Sequence, residues 1–345
     1  MLKFLILTIA VVANCQLPDH PPVGSGHHVT GGYGHQVYDW TVGKDSVDQL
    51  KQRIKAGNVY VKLHGHGVIT IADNYWSVGD NTTIDGLNGQ ITIEGPKGLY
   101  IQKVKNVVVM GICFKDNETA VNMSAGGDKV WVHRNTFLRS AWGSPVAFSG
   151  WDCSADGKTC KKQSTELTIS QNKFGPNHYG PLMFFGVGEA TFYRNHFYHV
   201  FTRIPRAQNQ GTFHVCNNVF EGWHLGLQGD DGAKFIYEQN VFDRVQNVSV
   251  EGSKKGHDTT GQKYGNNFQM NPKERIDVCW QSNLIIGDQK NIELKDGPSG
   301  GFKVTCDFPR PQWSKGYCSQ RATHAPKQFV NEIKSEAGAG QWCRL

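Results

Sequence analysis

The sequence predicts an all-β chain wound as a single-stranded, right-handed parallel β-helix, a solenoid closed at its start by a short capping helix. The first observation behind this is a repeated phrase: strand-like alternation, then Asn, any residue, then an aromatic. It occurs at residues 130–137, 167–174, 190–197, 213–220 and 235–242. Its asparagines, Asn135, Asn172, Asn195, Asn218 and Asn240, stand 37, 23, 23 and 22 residues apart. Removing about 14 inserted residues around Cys153 and Cys160 restores a common period in the low twenties, which marks stacked coils that cannot bury an apolar face alone. The second observation is composition. Forty glycines, 13 prolines and only 19% charged residues suit a turn-rich β protein, and 38% hydrophobic residues supply a core. Disorder and fibrous repeats are thereby excluded. The third is the lack of regularly placed leucines with helix-forming segments between them, which excludes a leucine-rich solenoid.

Residues 1–15 combine one lysine, an apolar run from Phe4 to Val12 and the stretch Ala13-Asn14-Cys15, which predicts a cleaved secretory signal and a secreted, extracellular chain. Residues 16–345 are then expected to form one β-helix domain. From Ser46 to Lys55, Val47, Leu50 and Ile54 recur at helical spacing behind a serine N-cap, which predicts the capping helix. Residues 83–86, 91–95, 99–101 and 106–111 read as strands of early coils. Asparagine tolerates left-handed backbone and bonds locally, so it suits the bend after each strand. Stacked asparagines are expected to form a ladder, with the aromatics stacked inside. After Asn240 the rhythm weakens except at 278–286, and about residues 287–345 read as a cysteine-bearing tail packed along the coils.

With Cys15 removed, the nine cysteines become eight, an even set that reads as disulfides in a secreted chain. Cys153 and Cys160 suit a local loop staple, and the other pairings stay open. Sequons at Asn81, Asn117, Asn122 and Asn247 are compatible with glycosylation. The net charge of +6 is too small to imply nucleic acid, and fits a mildly anionic polysaccharide or no charged partner. No second stretch is apolar enough for a membrane span. His27, His28, His35, His64 and His66 cluster early, but without tetrahedral ligand spacing they read as turn and surface residues.

Val29-Thr30-Gly31-Gly32, the coil at 82–116, Val130-Trp131-Val132 and above all Arg203-Ile204-Pro205-Arg206-Ala207-Gln208 before His214-Val215-Cys216-Asn217-Asn218 resemble the pectate and pectin lyase family over about residues 29–290. The resemblance implies that Arg203 is the base that takes the C5 proton of a galacturonosyl unit. The residue type itself implies an electrostatic role, because β-elimination passes through an enolate-like anion that cations stabilise. Within the family the run looks like that of pectin lyases, which accept the methyl ester and need no calcium. Arg206 would be the second cation, and Gln208 matches. The family's acidic calcium ligands fall near Thr119, Gly143 and Ala147, and its lysine near Gly180. A hard cation needs several oxygen ligands, so no metal or other cofactor is expected. The implied partner is pectin, acted on by a monomer.

Some cleft positions depart from the pectin lyase pattern. The Trp-Ile-Asp-His strand reads Trp131-Val132-His133-Arg134, and a cleft tryptophan corresponds to Gly180, although His178 and Tyr179 before it match. The arginine that replaces calcium falls near Trp142, so Arg139 or Arg134 would supply that cation. The expected substrate-binding set is therefore Arg206, Gln208, Arg139, Trp142, His178 and Tyr179. A polygalacturonase-like hydrolase is the enzyme alternative, carried by Asp230-Asp231, Gly65-His66-Gly67 and Arg53-Ile54-Lys55. These occur in the wrong order, and adjacent strand residues face opposite ways. The remaining alternatives are a calcium-dependent pectate lyase, which chelator sensitivity separates from a pectin lyase, and a noncatalytic polysaccharide-binding relative, which product formation separates from a lyase.

Overall fold

The structure is a computed structural model. It describes residues 21–345 apart from 125, 141–143, 154–159, 163–165, 184–186, 208–210, 223, 231–232, 246, 254–275, 287–293, 297–301, 319–324 and 345. The expected signal segment lies outside the described residues. Each coil of the parallel β-solenoid lends short strands to three faces. The first face runs from Gln36–Thr41 through Asp128–His133 and Lys234–Glu238 to Phe302–Val304. Its register is constant: Val132, Ile169, Phe192, Val215, Tyr237 and Trp280 lie in one row. A slip of one residue would turn every inward side chain out, so apolar alternation and register enforce each other.

The expected ladder and stack are both present. The Oδ1 atoms of Asn172, Asn195, Asn218, Asn240 and Asn283 each accept the backbone N–H of the ladder asparagine one coil earlier, at 2.8–3.1 Å. Each Nδ2 also donates to a carbonyl of the preceding coil, as Asn195 does to Ile169 at 2.8 Å. On the second face Phe114, Phe137, Phe174, Phe197, Phe220 and Phe242 stack with centroids 5.3, 4.9, 5.0, 4.8 and 4.9 Å apart. The asparagines are not the left-handed residues, however. The residues before them are: Arg134, Gln171, Arg194, Asn217, Gln239 and Ser282 all have φ between 51° and 55°. The bend falls one residue early, which leaves each asparagine free to turn its amide into the coil.

Helix Val47–Ala56 closes the first coil, with Ser46 accepting the Gln49 N–H and Leu50 and Ile54 in the core. Val47 departs from the expectation and is 43% exposed, since it sits on the first turn beyond the core's edge. The tail supplies strands Leu294–Asp296 and Phe302–Val304 to the third and first faces. It then forms helix Pro326–Glu336, which lays Phe329, Val330 and Ile333 on Val219 and Val241. Disulfides Cys113–Cys343, Cys216–Cys318 and Cys279–Cys306 fasten it. Cys153 and Cys160 are directly paired positions on the hairpin Trp151–Cys153 and Cys160–Lys162. The Asn117 sequon is buried, with its Nδ2 bonded to the carbonyls of Gly95 and Lys97, so a glycan there would replace a hydrogen that one of these bonds uses. No helix among the described residues is long and apolar enough to cross a membrane.

Asn195 joins the ladder on both sides, bonding Asn172, Ile169 and Asn218. Asn195→Leu should cost about 3 kcal/mol or more in denaturant unfolding, because it strands several buried polar groups at once. A loss below about 1 kcal/mol would mean that the ladder is incidental.

Candidate active site

The third face carries the arginine motif. Strand Val200–Ala207 pairs with Asn177–Tyr179 and Leu182–Met183 on one side and with His224–Asp230 on the other. Its register shifts between Thr202 and Arg206, where the chain bulges. Arg203 sits in the bulge at φ +62°, a left-handed conformation that costs a non-glycine residue on the order of 1–3 kcal/mol and persists only where its surroundings enforce it. Three neighbours do so. The buried Tyr237 hydroxyl, from the first face, donates to the Ile204 carbonyl. The Arg206 N–H donates to Pro181 at 3.1 Å. Gly180 lies so close that a Cβ there would be 2.1 Å from the Arg203 carbonyl oxygen.

The Arg203 guanidinium is aimed as firmly as its backbone. Its Nη1 donates to the buried Ser144 hydroxyl at 2.8 Å, and its Cζ lies 4.0 Å from the centroid of the Tyr179 ring. Such a cation–π contact contributes about 0.5–2 kcal/mol. Nε is buried and makes no hydrogen bond among the described residues. Burial first, then the charge of Arg206, pulls the Arg203 pKa down to about 10, against a partial restoring effect from Tyr179. The arrangement offers cationic N–H groups to an oxygen that becomes negative. It also holds one guanidinium that gives up its proton more readily than an ordinary arginine.

Of the expected site residues, the structure brings Arg203, Arg206 and Tyr179 together, and His178 lies beside Tyr179 on its strand. Gln208 and Trp142 lie outside the described residues. Arg139 is half-exposed at the turn leaving the second face, where Asp116 takes up its guanidinium in two bonds of 2.9 and 2.6 Å. Arg134 lies at the corner between the first and second faces, away from the third-face strand that holds Arg203. The His133 departure is also remote from the site. His133 and Trp131 share the Ser170 hydroxyl on the outer side of the first face. A cavity of about 340 Å³ lies beside them, between the N-terminal segment and the last helix, with Arg194 in its wall tied to Glu332 and Glu336. The early histidines form no single cluster: the His27 and His28 rings touch with centroids 3.6 Å apart and His27 bonds the Gly24 carbonyl, while His64 bonds Asp39. Ser144 and Tyr237 were not anticipated. Tyr237 could have been found as the one hydroxyl in an otherwise apolar inward row.

Gly180→Ala should displace the bulge, cost about 1–3 kcal/mol by overpacking and cut turnover more than substrate binding. Unchanged turnover would show that the Arg203 backbone position is not critical.

The pectate lyase family model matches residues 57–284. A pectin lyase from Pseudomonas marginalis is 24% identical over 238 residues, covering 62% of this chain and 71% of the relative. A probable pectate lyase 6 from Arabidopsis thaliana is 26% identical over 260 residues, covering 64% and 53%. Among solved structures, the major cedar pollen allergen jun a 1 superposes with a TM-score of 0.62 at 16% identity, covering 92% of each chain. A Bacillus pectate lyase solved with trigalacturonate gives 0.57 at 18% identity, covering 92% of this chain and 98% of that one. With two thirds of its length matched and the same parallel solenoid, this chain belongs to the pectate lyase family of polysaccharide lyases.

Proposed function

We propose that the protein is a secreted pectin lyase that cleaves methyl-esterified homogalacturonan by β-elimination, with Arg203 as the base and Arg206 as the second cation. The observation that carries this reading is Arg203 itself, held in left-handed backbone by Gly180 and Tyr237 with its guanidinium fixed on Tyr179 and Ser144. In its neutral form Arg203 takes the C5 proton. The electron pair left behind forms the C4–C5 double bond as the C4–O bond breaks, and the departing oxygen takes a proton from solvent. Arg206 meets the charge that builds on the ester carbonyl oxygen, where a fixed cation counts most in the transition state.

The residues present do not fit a calcium ion at the family's position. Thr119 and Ala147 are buried without a carboxylate, so neither can ligate a hard cation. A methyl ester supplies by covalent chemistry what the metal supplies elsewhere, namely a neutral and acidified uronate. Secretion is supported by the pattern of residues 1–15 and by the three described disulfides.

The test follows the ultraviolet absorbance of the unsaturated product on highly methylated pectin and on polygalacturonate, each with calcium and with chelator, across pH. The proposal expects product from pectin only, indifferent to chelator. The rate should rise about tenfold per pH unit through neutrality and level off near pH 10, as the lowered Arg203 pKa makes the neutral base available. Product from polygalacturonate that chelator abolishes would establish the pectate lyase reading instead. Binding without product on either would make the chain a noncatalytic relative.

A further inference from the structure

Away from the arginine site, one set of metal-ligand atoms converges among the described residues: those of His214, Cys216, Glu238 and Cys318, all within 4.8 Å of one another. His214 and Cys216 lie on strand Thr212–Cys216 of the first face. Glu238 pairs with Cys216 one coil on, and Cys318 arrives from the tail, disulfide-bonded to Cys216. His214 Nε2 is 2.8 Å from Glu238 Oε1 and 3.5 Å from Cys318 Sγ, and its Nδ1 meets the Tyr317 hydroxyl. An ionised carboxylate only accepts, so Nε2 carries the imidazole proton and Nδ1 accepts from Tyr317. Arg310 bonds both oxygens of Glu238, at 2.7 and 2.9 Å.

We propose that reducing the Cys216–Cys318 bond turns this cluster into a tetrahedral zinc site of two thiolates, the His214 Nε2 and one Glu238 oxygen. A dithiol reductant gives two electrons and two protons to the disulfide, is itself oxidised to a cyclic disulfide, and leaves two thiols. Zinc then expels both thiol protons to solvent. The imidazole stays neutral as its proton moves to Nδ1, where it bonds the Tyr317 oxygen, and the Tyr317 hydroxyl turns to Thr191 Oγ1, 3.5 Å away. A second hydrogen bond that fixes the ring is the usual support of a zinc-bound histidine. Zinc bond lengths place tetrahedral ligand atoms about 3.3–3.8 Å apart, so the present spacing needs only side-chain rotation. Two thiolates and a carboxylate carry one negative charge more than zinc neutralises, and Arg310 balances it while keeping one bond to Glu238. Soft thiolates select zinc over calcium or magnesium. While the disulfide stands neither sulfur is a thiolate, so the site is gated by redox state.

The full-length protein is reduced with a dithiol, freed of reductant under inert gas and titrated with cobalt(II), whose tetrahedral thiolate complexes are strongly coloured. One cobalt per chain should bind with thiolate charge-transfer bands, and zinc should displace it. The oxidised protein and the reduced Cys216→Ser/Cys318→Ser variant should bind none, and Glu238→Gln should weaken binding at least tenfold. Reduction opens other disulfides too, so alkylation mapped on the unsubstituted chain identifies the ligands. Cobalt should protect Cys216 and Cys318 but not Cys113, Cys279, Cys306 or Cys343. Protection of another pair, equal binding by the oxidised protein, or no binding after reduction would overturn the proposal.

Discussion

From Asn135 to Asn240 successive coils are tied by asparagines whose amides accept the backbone N–H of one ladder neighbour and donate to a carbonyl of the preceding coil, out of water. In a dry core each such group must be paired, and an unmade bond costs more than a made one contributes. The ladder therefore fixes register as well as stability. Phenylalanines stack and aliphatic rows align because the asparagines allow no slip.

That rigidity is what lets the third face hold a strained residue. The bulge at Arg203 is clamped from inside by Tyr237, which comes from an inward row of the first face, and from the side by Gly180. Strain at one residue is offset by packing spread over many, which is the usual setting for a pre-organised reactive group. Burial lowers the guanidinium pKa, and the Ser144 bond and Tyr179 ring fix its direction. The outer side of the first face is closed by two different covers. The N-terminal segment lies over Thr168 and Thr191, and the tail lies over His214 and Cys279.

Periodic features were legible in the sequence and singular ones were not. The ladder, the aromatic stack and the Ser46-capped helix follow from spacing alone. The left-handed corners fell on the residues before the ladder asparagines, Arg134, Gln171 and Gln239 among them, because the coil's closure sets that conformation and residue type hardly marks it. Arg203, Arg206 and Tyr179, which the resemblance implies for the site, do come together in the structure. Ser144 was not anticipated, since it meets Arg203 across 59 residues of sequence. Arg139 or Arg134 is the expected further cation, and the two sit at different corners of the coil. Cys113 reaches Cys343 across 230 residues, a pairing no spacing rule could supply.

In the proposed reading one partly buried, strained arginine performs the chemistry while the solenoid only holds it. The most direct measurement is product formation by Arg203→Ala on methylated pectin, alongside its unfolding midpoint. The rate should fall by at least about a thousandfold with the fold retained, since removing a general base of this kind costs roughly that much. Activity within tenfold of the unsubstituted protein would contradict it.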